Sequence, residues 1–326
     1  MEKMNFNTIN TKEESSAKRL FENVEGVLSD DKRLRIPTGA DKLDATLRGG
    51  LCKGELGVII APIGAGKTSA TTGFAANAAT YKCEANDFNG YKVLHYFFDD
   101  AENNIERKYM GFITGFEACD LNSSEMRPIV IEKMNEDIEI YRMLRNNIKY
   151  ERLISGEVTA SQIKEKIRNE ISLGFRPDLV IIDSFDSIKS EDSDNTVSEW
   201  TKETFTLRKI KAMAHEFNTA IWVPVNGTRD SIGAELISLI QTSGSFKKLS
   251  FPDVILTFAA TENMKSQGKM NISLRKFRAG RIDRNKFFNV SFNNGTCRFD
   301  MSECDDGTGT FFCNFIQKRT KQMYKF

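Results

Sequence analysis

Histidine is scarce in this sequence, with His95 and His215 the only two, and the six cysteines (Cys52, Cys83, Cys119, Cys297, Cys304, Cys313) form no CxxC pair. A zinc site needs such ligands at close spacing, so the pattern argues against one. The cysteines read as reduced thiols of a cytosol-like compartment. No apolar run approaches the roughly 18 residues of a membrane span. The N-terminal stretch MEKMNFNTINTKEESS is polar and lacks the apolar centre of an export signal. A soluble, unexported protein with no membrane partner is expected. Charge bias is missing too: 46 basic and 45 acidic residues leave a net charge of +1. That excludes a general attraction to nucleic acid and confines any polyanion contact to a local patch. Internal repeats and low-complexity tracts are also absent, and 40% hydrophobic content over 326 residues suffices for a large core.

What is present is a strong alternation. Between residues 15 and 28, Ala17, Leu20, Phe21, Val24, Val27 and Leu28 recur at helical spacing, with charged residues opposite, until Ser29-Asp30-Asp31 breaks the pattern. This helix either folds onto its own domain or docks on a neighbouring subunit. From residue 55 the apolar runs ELGVII, KVLHYFF, DLVIID, TAIWVPV, DVILTF and MNISLRKF alternate with helical stretches. The alternation predicts an α/β fold with a mainly parallel central sheet flanked by helices. Residues 120–175, rich in charge and helix formers, read as helices between two strands. In the tail, FFNVSF and TCRFDM flank Asn294-Gly295, which predicts a terminal antiparallel hairpin with a tight turn.

The segment GVIIAPIGAGKTSATTGFAANAA carries the chemistry. A buried strand, a turn with Gly64 and Gly66, and Lys67-Thr68 opening a helix form the context of a phosphate-binding loop. Its members are Ala61, Pro62, Ile63, Gly64, Ala65, Gly66, Lys67, Thr68 and Ser69, with Ala61 in place of the first glycine of the strict pattern. The glycines let backbone amides close around a β-phosphate, Lys67 reaches the β- and γ-phosphates, and Thr68 takes a Mg²⁺ position. Asp183, closing the apolar strand DLVIID, is the second carboxylate that a Mg-ATP site requires. The strand VLHYFF ends in Asp99-Asp100, followed by Glu102, and is expected beside the phosphate-loop strand. Asp99 is the candidate to orient or deprotonate water, with Asp100 in reserve.

Taken in order, these segments resemble the ATPase domain of the DnaB-type replicative helicases, the hexameric branch of the RecA-like superfamily. IPTGADKLDATLRGGLCKGEL is similar to the family's entry motif, and VLHYFFDDAENNIERKYMGFITG to the strand and helix carrying its catalytic glutamate, which falls on Asp99. EVTASQIKEKIRNEISLGFRPDLVIIDSF resembles the helix leading into the metal-binding strand. TLRKIKAMAHEFNTAIWVPVN resembles the next helix and strand, so that Asn226 stands where the family senses the γ-phosphate with glutamine, and Arg229 lies just beyond. SGSFKKLSFPDVILTF is similar to the stretch after the DNA-binding loop. Gln241, Thr242, Gly244 and Ser245 then fall on phosphate contacts, Gln241 replacing an arginine, with Lys247 and Lys248 adding charge. LRKFRAGRIDRNKFFNVSF resembles the Lys-x-Arg-x-Gly motif and puts Lys276, Arg278 and Gly280 on it, the Lys and Arg reaching the next subunit's ATP.

The resemblance implies an N-terminal arm with a linker helix over residues 1–31, a RecA-like ATPase and helicase core over 32–302, and a tail over 303–326. It also implies ATP and Mg²⁺ as cofactors, a homo-oligomeric ring of six, single-stranded DNA as track, and a primase or loader as partner. The family's bacterial members carry a further N-terminal collar domain, whereas small phage-encoded versions, mainly motor domain, look closer to this chain. A cytoplasmic location follows, the host's if the protein is phage-encoded. Two other readings stay open: a RecA- or KaiC-like ATPase that coats DNA or regulates a partner, and an assembly factor whose ATP site is a switch. The acidic Cys304-Asp305-Asp306-Gly307 stretch and the basic Lys318, Arg319, Lys321 and Lys325 read as a solvated end or a partner-binding tail.

Overall fold

The apolar runs become strands buried along nearly their whole length. The computed structural model describes residues 34–191, 198–242, 246–283 and 286–308. From Arg35 onward these belong to one compact unit. The expected helix over residues 15–28, the candidates Gly244 and Ser245, and the basic C-terminal residues lie outside the described set. Two short strands, β1 (Arg35–Ile36) and β2 (Leu51–Cys52), pair antiparallel. Then follow β3 (Leu56–Ala61), β4 (Val93–Phe97), β5 (Ile148–Arg152), β6 (Leu179–Asp183), β7 (Ala220–Asn226), β8 (Val254–Ala259), β9 (Lys269–Phe277), β10 (Lys286–Asn293) and β11 (Arg298–Thr308). They form one sheet in the order β11-β10-β9-β8-β3-β7-β6-β4-β5.

From β8 to β5 every neighbouring pair is parallel, while β9, β10 and β11 continue the sheet antiparallel. The parallel strands carry apolar residues at successive positions because both faces are covered. On one face Val58, Ile182 and Val223 pack with Ile163 and Ile167 of the helix Ala160–Ser172 and with Leu207, Ile210 and Met213 of the helix Glu199–Phe217. The alanine-rich helix Lys67–Thr80 packs closely elsewhere on the sheet, its Phe74 ring 5.5 Å from that of Trp222. Thr159 caps the helix Ala160–Ser172 by accepting from the Gln162 amide, and the Gln162 side chain accepts in return from Thr159 N.

The sheet order corrects the sequence reading in places. β4 does not lie beside the phosphate-loop strand β3; β7 and β6 stand between them. Within the stretch read as helical, residues 148–152 form β5, an edge strand whose charged side chains Lys149, Glu151 and Arg152 hide its nature. The C-terminal hairpin is present, but its connection spans residues 294–297, since Asn293 pairs with Arg298. Asn293 Oδ1 accepts from the amides of Gly295 and Thr296 and shapes that loop. The acidic stretch 304–307 is not a loose end: β11 runs through it, with Asp305, Asp306 and Gly307 in register with Asn289, Phe288 and Phe287.

Candidate nucleotide site

β3 delivers the chain at Ala61 into a loop from which Lys67 opens the helix Lys67–Thr80. Gly64 and Gly66 both adopt left-handed backbone, with φ of +76° and +78°, a conformation that penalises a Cβ. At Gly66 an added Cβ would also overlap the carboxamide oxygen of Asn294. Ala61, by contrast, is still in the strand and in register with Asn226, so alanine there carries no conformational cost. The first turn of the helix leaves amides without intrahelical acceptors at its positive end, an anion site by construction. Lys67 Nζ folds back to the carbonyls of Ala61 (3.2 Å) and Pro62 (3.0 Å). Burial lowers its pKa from the usual lysine value, while Asp183 and Asp186 act to raise it.

Asp183 closes β6 and is only 6% exposed. Thr71 Oγ1 donates to its Oδ2 at 3.2 Å, and the Thr68 side chain also bonds to it. Burial raises the Asp183 pKa, and the two threonine hydroxyls and the Lys67 charge oppose that rise. A carboxylate and hydroxyls together make a hard oxygen donor set that fits Mg²⁺. Among the described residues no cluster of three or more His, Cys, Asp or Glu could hold a metal by itself. An ion here would therefore complete its shell with phosphate and water oxygens, as Mg²⁺ does in nucleotide sites.

These groups open onto a cavity of about 510 Å³ lined by Ile63, Gly64, Gly66, Lys67, Thr68 and Ser69, by Asp99, Asp100 and Lys108, and by Asp183, Ser184, Asn226 and Asn294. Although β4 lies two strands from β7, its end is in register with Asp183, and the chain carries Asp99 into the cavity two residues later. Asp99 accepts from Ser187 Oγ at 2.9 Å. Asp100 is held by Lys108 at 3.0 Å. Asn226 ends β7 beside Ala61, and its amide donates to Asp186 Oδ2 at 2.7 Å.

The remaining candidates lie away from this cavity. Lys276 Nζ binds the carbonyls of Leu249 (3.0 Å) and Ser250 (2.8 Å). Arg278 reaches Ser250 O at 3.1 Å and Asp253 at 3.3 Å, with its side chain 55% exposed. Arg229 and Lys247 are exposed. Gln241 Nε2 donates to Asp230 O at 2.9 Å while its Oε1 accepts from Ser238 N at 2.9 Å, so this side chain shapes its own loop. Thr242 is buried, its hydroxyl bonded to Leu239 O. Lys248, expected among the exposed basic contacts, is a correction: it is fully buried. Its Nζ lies 3.2 Å from Glu203 Oε2 and 4.8 Å from the Phe185 ring centroid, so its charge is compensated inside the protein.

The family model for the DnaB-like helicase C-terminal domain matches residues 35–301, most of the chain. The chain belongs to the DnaB-like helicases. The fold of this DnaB-like domain is similar to a solved structure of an isolated ATPase domain, with a TM-score of 0.71 and 17% identity over 88% of this chain and 99% of that one. It is also similar to a DnaB-like replicative helicase solved for its interactions with primase, with a TM-score of 0.69 and 16% identity over 88% of this chain and 67% of that one. No curated protein matches the chain. Family membership makes it an ATP-hydrolysing helicase domain.

In this DnaB-like domain, Lys108, Asn294 and Asp186 stand in or beside the cavity without a sequence signal that singles them out. Lys108 comes from a helix (Glu102–Thr114) that only tertiary packing aims at Asp100. The Asn-Gly pair at 294–295 was legible as a turn, not as a wall over Gly66. Asp186, three residues after Asp183 in a short 3₁₀ turn, had no pattern to announce it. Among the described residues no helix is long and apolar enough to cross a membrane.

Proposed function

We propose that this domain is the motor of a replicative DNA helicase, assembling as a hexameric ring that hydrolyses Mg-ATP between subunits and draws single-stranded DNA through its centre. The observation that carries this reading is the cavity shared by Lys67, Thr68, Asp183, Asp99 and Asn226 in a chain of the DnaB-like family. Bound magnesium would neutralise charge developing on the transferred phosphoryl group. In this reading Lys67 exchanges the carbonyls of Ala61 and Pro62 for β- and γ-phosphate oxygens. Thr68 and Asp183 hold the metal. Asp99, free of the lysine pairing that occupies Asp100, orients the attacking water, and Asn226 senses the γ-phosphate.

Lys276 and Arg278 leave their own Ser250 carbonyl to reach the neighbouring subunit's phosphates, which ties turnover to assembly. Arg229, Gln241, Thr242, Gly244, Ser245 and Lys247 belong to the DNA-contacting segment, which follows phosphates and not bases. One relative is described with primase, and a primase or loader is the partner expected for this domain.

ATPase assays on Lys67→Ala test the site. Hydrolysis at the parental rate would remove the foundation of the reading. Doping Arg278→Ala into wild type tests the shared site, and a loss of activity steeper than the mutant fraction is expected. A non-unwinding, DNA-coating or regulatory ATPase is favoured by one observation, the binding of Lys276 and Arg278 to their own chain. ATP hydrolysis without strand displacement on a forked duplex at any concentration would decide for it.

A further inference from the structure

Both ends of the segment between β7 and β8 close on the same turn. At its start the Asn226 amide donates to Asp186 Oδ2, Gly227 bridges to Thr242, and Thr228 N donates to Gln241 O at 2.9 Å. At its end Lys248 lies buried against the Phe185 ring and Glu203. Phe185 and Asp186 are consecutive, in the 3₁₀ turn Phe185–Ser187 that follows Asp183. Immediately after Lys248, the carbonyls of Leu249 and Ser250 receive Lys276, and Ser250 also receives Arg278. One ammonium group thus stands where three things meet: the turn after the acid-bearing strand, the return of the segment assigned above to DNA, and the anchor of Lys276 and Arg278.

A buried ammonium is costly, and an apolar side chain of similar length would fill the space without that cost. The charge therefore needs a reason, and a DNA phosphate is not it, because Lys248 has no exposed surface. Its compensation comes from Glu203 on the helix Glu199–Phe217, from the face of Phe185, and from the field of Asp186, whose pKa Lys248 helps to hold down against burial. Two of these partners, Phe185 and Asp186, directly follow Asp183 and Ser184 of the cavity lining, and Asp186 accepts from the amide of Asn226, another lining residue.

We propose that Lys248 is a positioning residue that couples the DNA-contacting segment to nucleotide turnover. It grips the Phe185–Asp186 turn, so that a displacement of the segment carrying Arg229, Gln241 and Lys247 moves Asp186 and, through it, the Asn226 amide. The inference rests on the reading of that segment as the DNA contact.

The test uses the full chain with Lys248→Met, Lys248→Arg and Phe185→Leu, oligo-dT as the track, and two independent readouts. In steady-state ATPase, Lys248→Met and Phe185→Leu lower kcat at saturating oligo-dT by about tenfold while KM for ATP and Kd for oligo-dT stay within about twofold. Lys248→Arg restores most of the rate. In hydrogen–deuterium exchange on nucleotide-free, DNA-free protein, Lys248→Met and Phe185→Leu both speed exchange of peptides covering Asn226 to Thr228 and leave β8 unchanged. Should Lys248→Met fail to fold, Phe185→Leu carries the same two readouts.

A Lys248→Met protein with intact saturated kcat, weaker oligo-dT binding and a salt slope reduced by about one would make Lys248 a phosphate contact and overturn the proposal. Absence of any oligo-dT stimulation in wild type would instead sink the DNA reading. The exchange experiment then still decides the coupling: unchanged exchange at Asn226 refutes it, faster exchange sustains it.

Discussion

Replacing Asp183 with asparagine should stabilise the nucleotide-free protein while destroying its activity. The carboxyl is 6% exposed, and burial dominates its environment strongly enough to raise its pKa despite hydrogen bonds from Thr68 and Thr71 and the nearby Lys67 charge. An asparagine side chain would keep the volume and an acceptor oxygen for the hydroxyls, so no cavity opens, and only the desolvated charge is lost. Lys67 loses one of its two carboxylate neighbours in the exchange, which trims the gain. A net stabilisation of about 1 kcal/mol is expected, within the range of single stabilising substitutions, or about 2–4 °C in Tm.

The pH dependence has a definite sign. A carboxyl whose folded pKa exceeds its unfolded value binds its proton more tightly in the native state, so its contribution becomes less favourable as pH rises through that window. The Tm advantage of Asp183→Asn should thus be largest near neutral pH and shrink as pH falls toward the usual carboxylate range. Calorimetry in EDTA without nucleotide measures both, and ATPase assays should show a loss of about two to three orders of magnitude. A lower Tm than wild type at neutral pH would refute the claim that the buried Asp183 carboxylate carries a net desolvation cost.

His95 is fully buried with Nδ1 2.7 Å from the Tyr109 hydroxyl, and burial pushes its pKa down to about 3. Native His95 therefore stays neutral while the unfolded chain protonates, so stability should fall by up to about 1.4 kcal/mol per pH unit below pH ~6.5. Urea melts across that range should show a shallower loss for His95→Gln. Gly66→Ala meets both the left-handed backbone and Asn294, and should cost about 1–2 kcal/mol in stability as well as weaken ATP binding in a fluorescent-nucleotide titration. Adding Asn294→Gly should recover the part of the loss due to overlap and leave the part due to backbone strain. Asp44, whose carboxyl accepts from Thr38 N, Thr38 Oγ1 and the Gly39 amide, should be needed for the entry loop. Asp44→Ala should lower the thermal midpoint, and equal midpoints would count against that role.

The sheet and the phosphate loop were legible because their signals are local. An apolar run followed by Gly64, Gly66, Lys67 and Thr68 describes strand, turn and helix start in one reading frame, and Asp183 marks the end of its own strand. Neighbour relations were not local. VLHYFF gives no hint that LVIID and AIWVPVN will insert between it and β3, and Asp99 nevertheless reaches the cavity because β4 and β6 run parallel with their carboxyl ends in register. Lys248 failed for a different reason. Lysine in a loop reads as exposed, and only packing against Phe185 and Glu203 makes burial tolerable. β5 was hidden by the charged residues that suit an edge strand.

The contact between Asn294 and Gly66 has a bearing on biogenesis. One part of the pocket lining comes from the middle of the first βα unit and the part that touches it from the turn of the last hairpin, so a ribosome must finish nearly the whole domain before the lining is complete. A domain clipped ahead of its final strands would lack Asn294 and keep only the part of that lining contributed by the earlier elements.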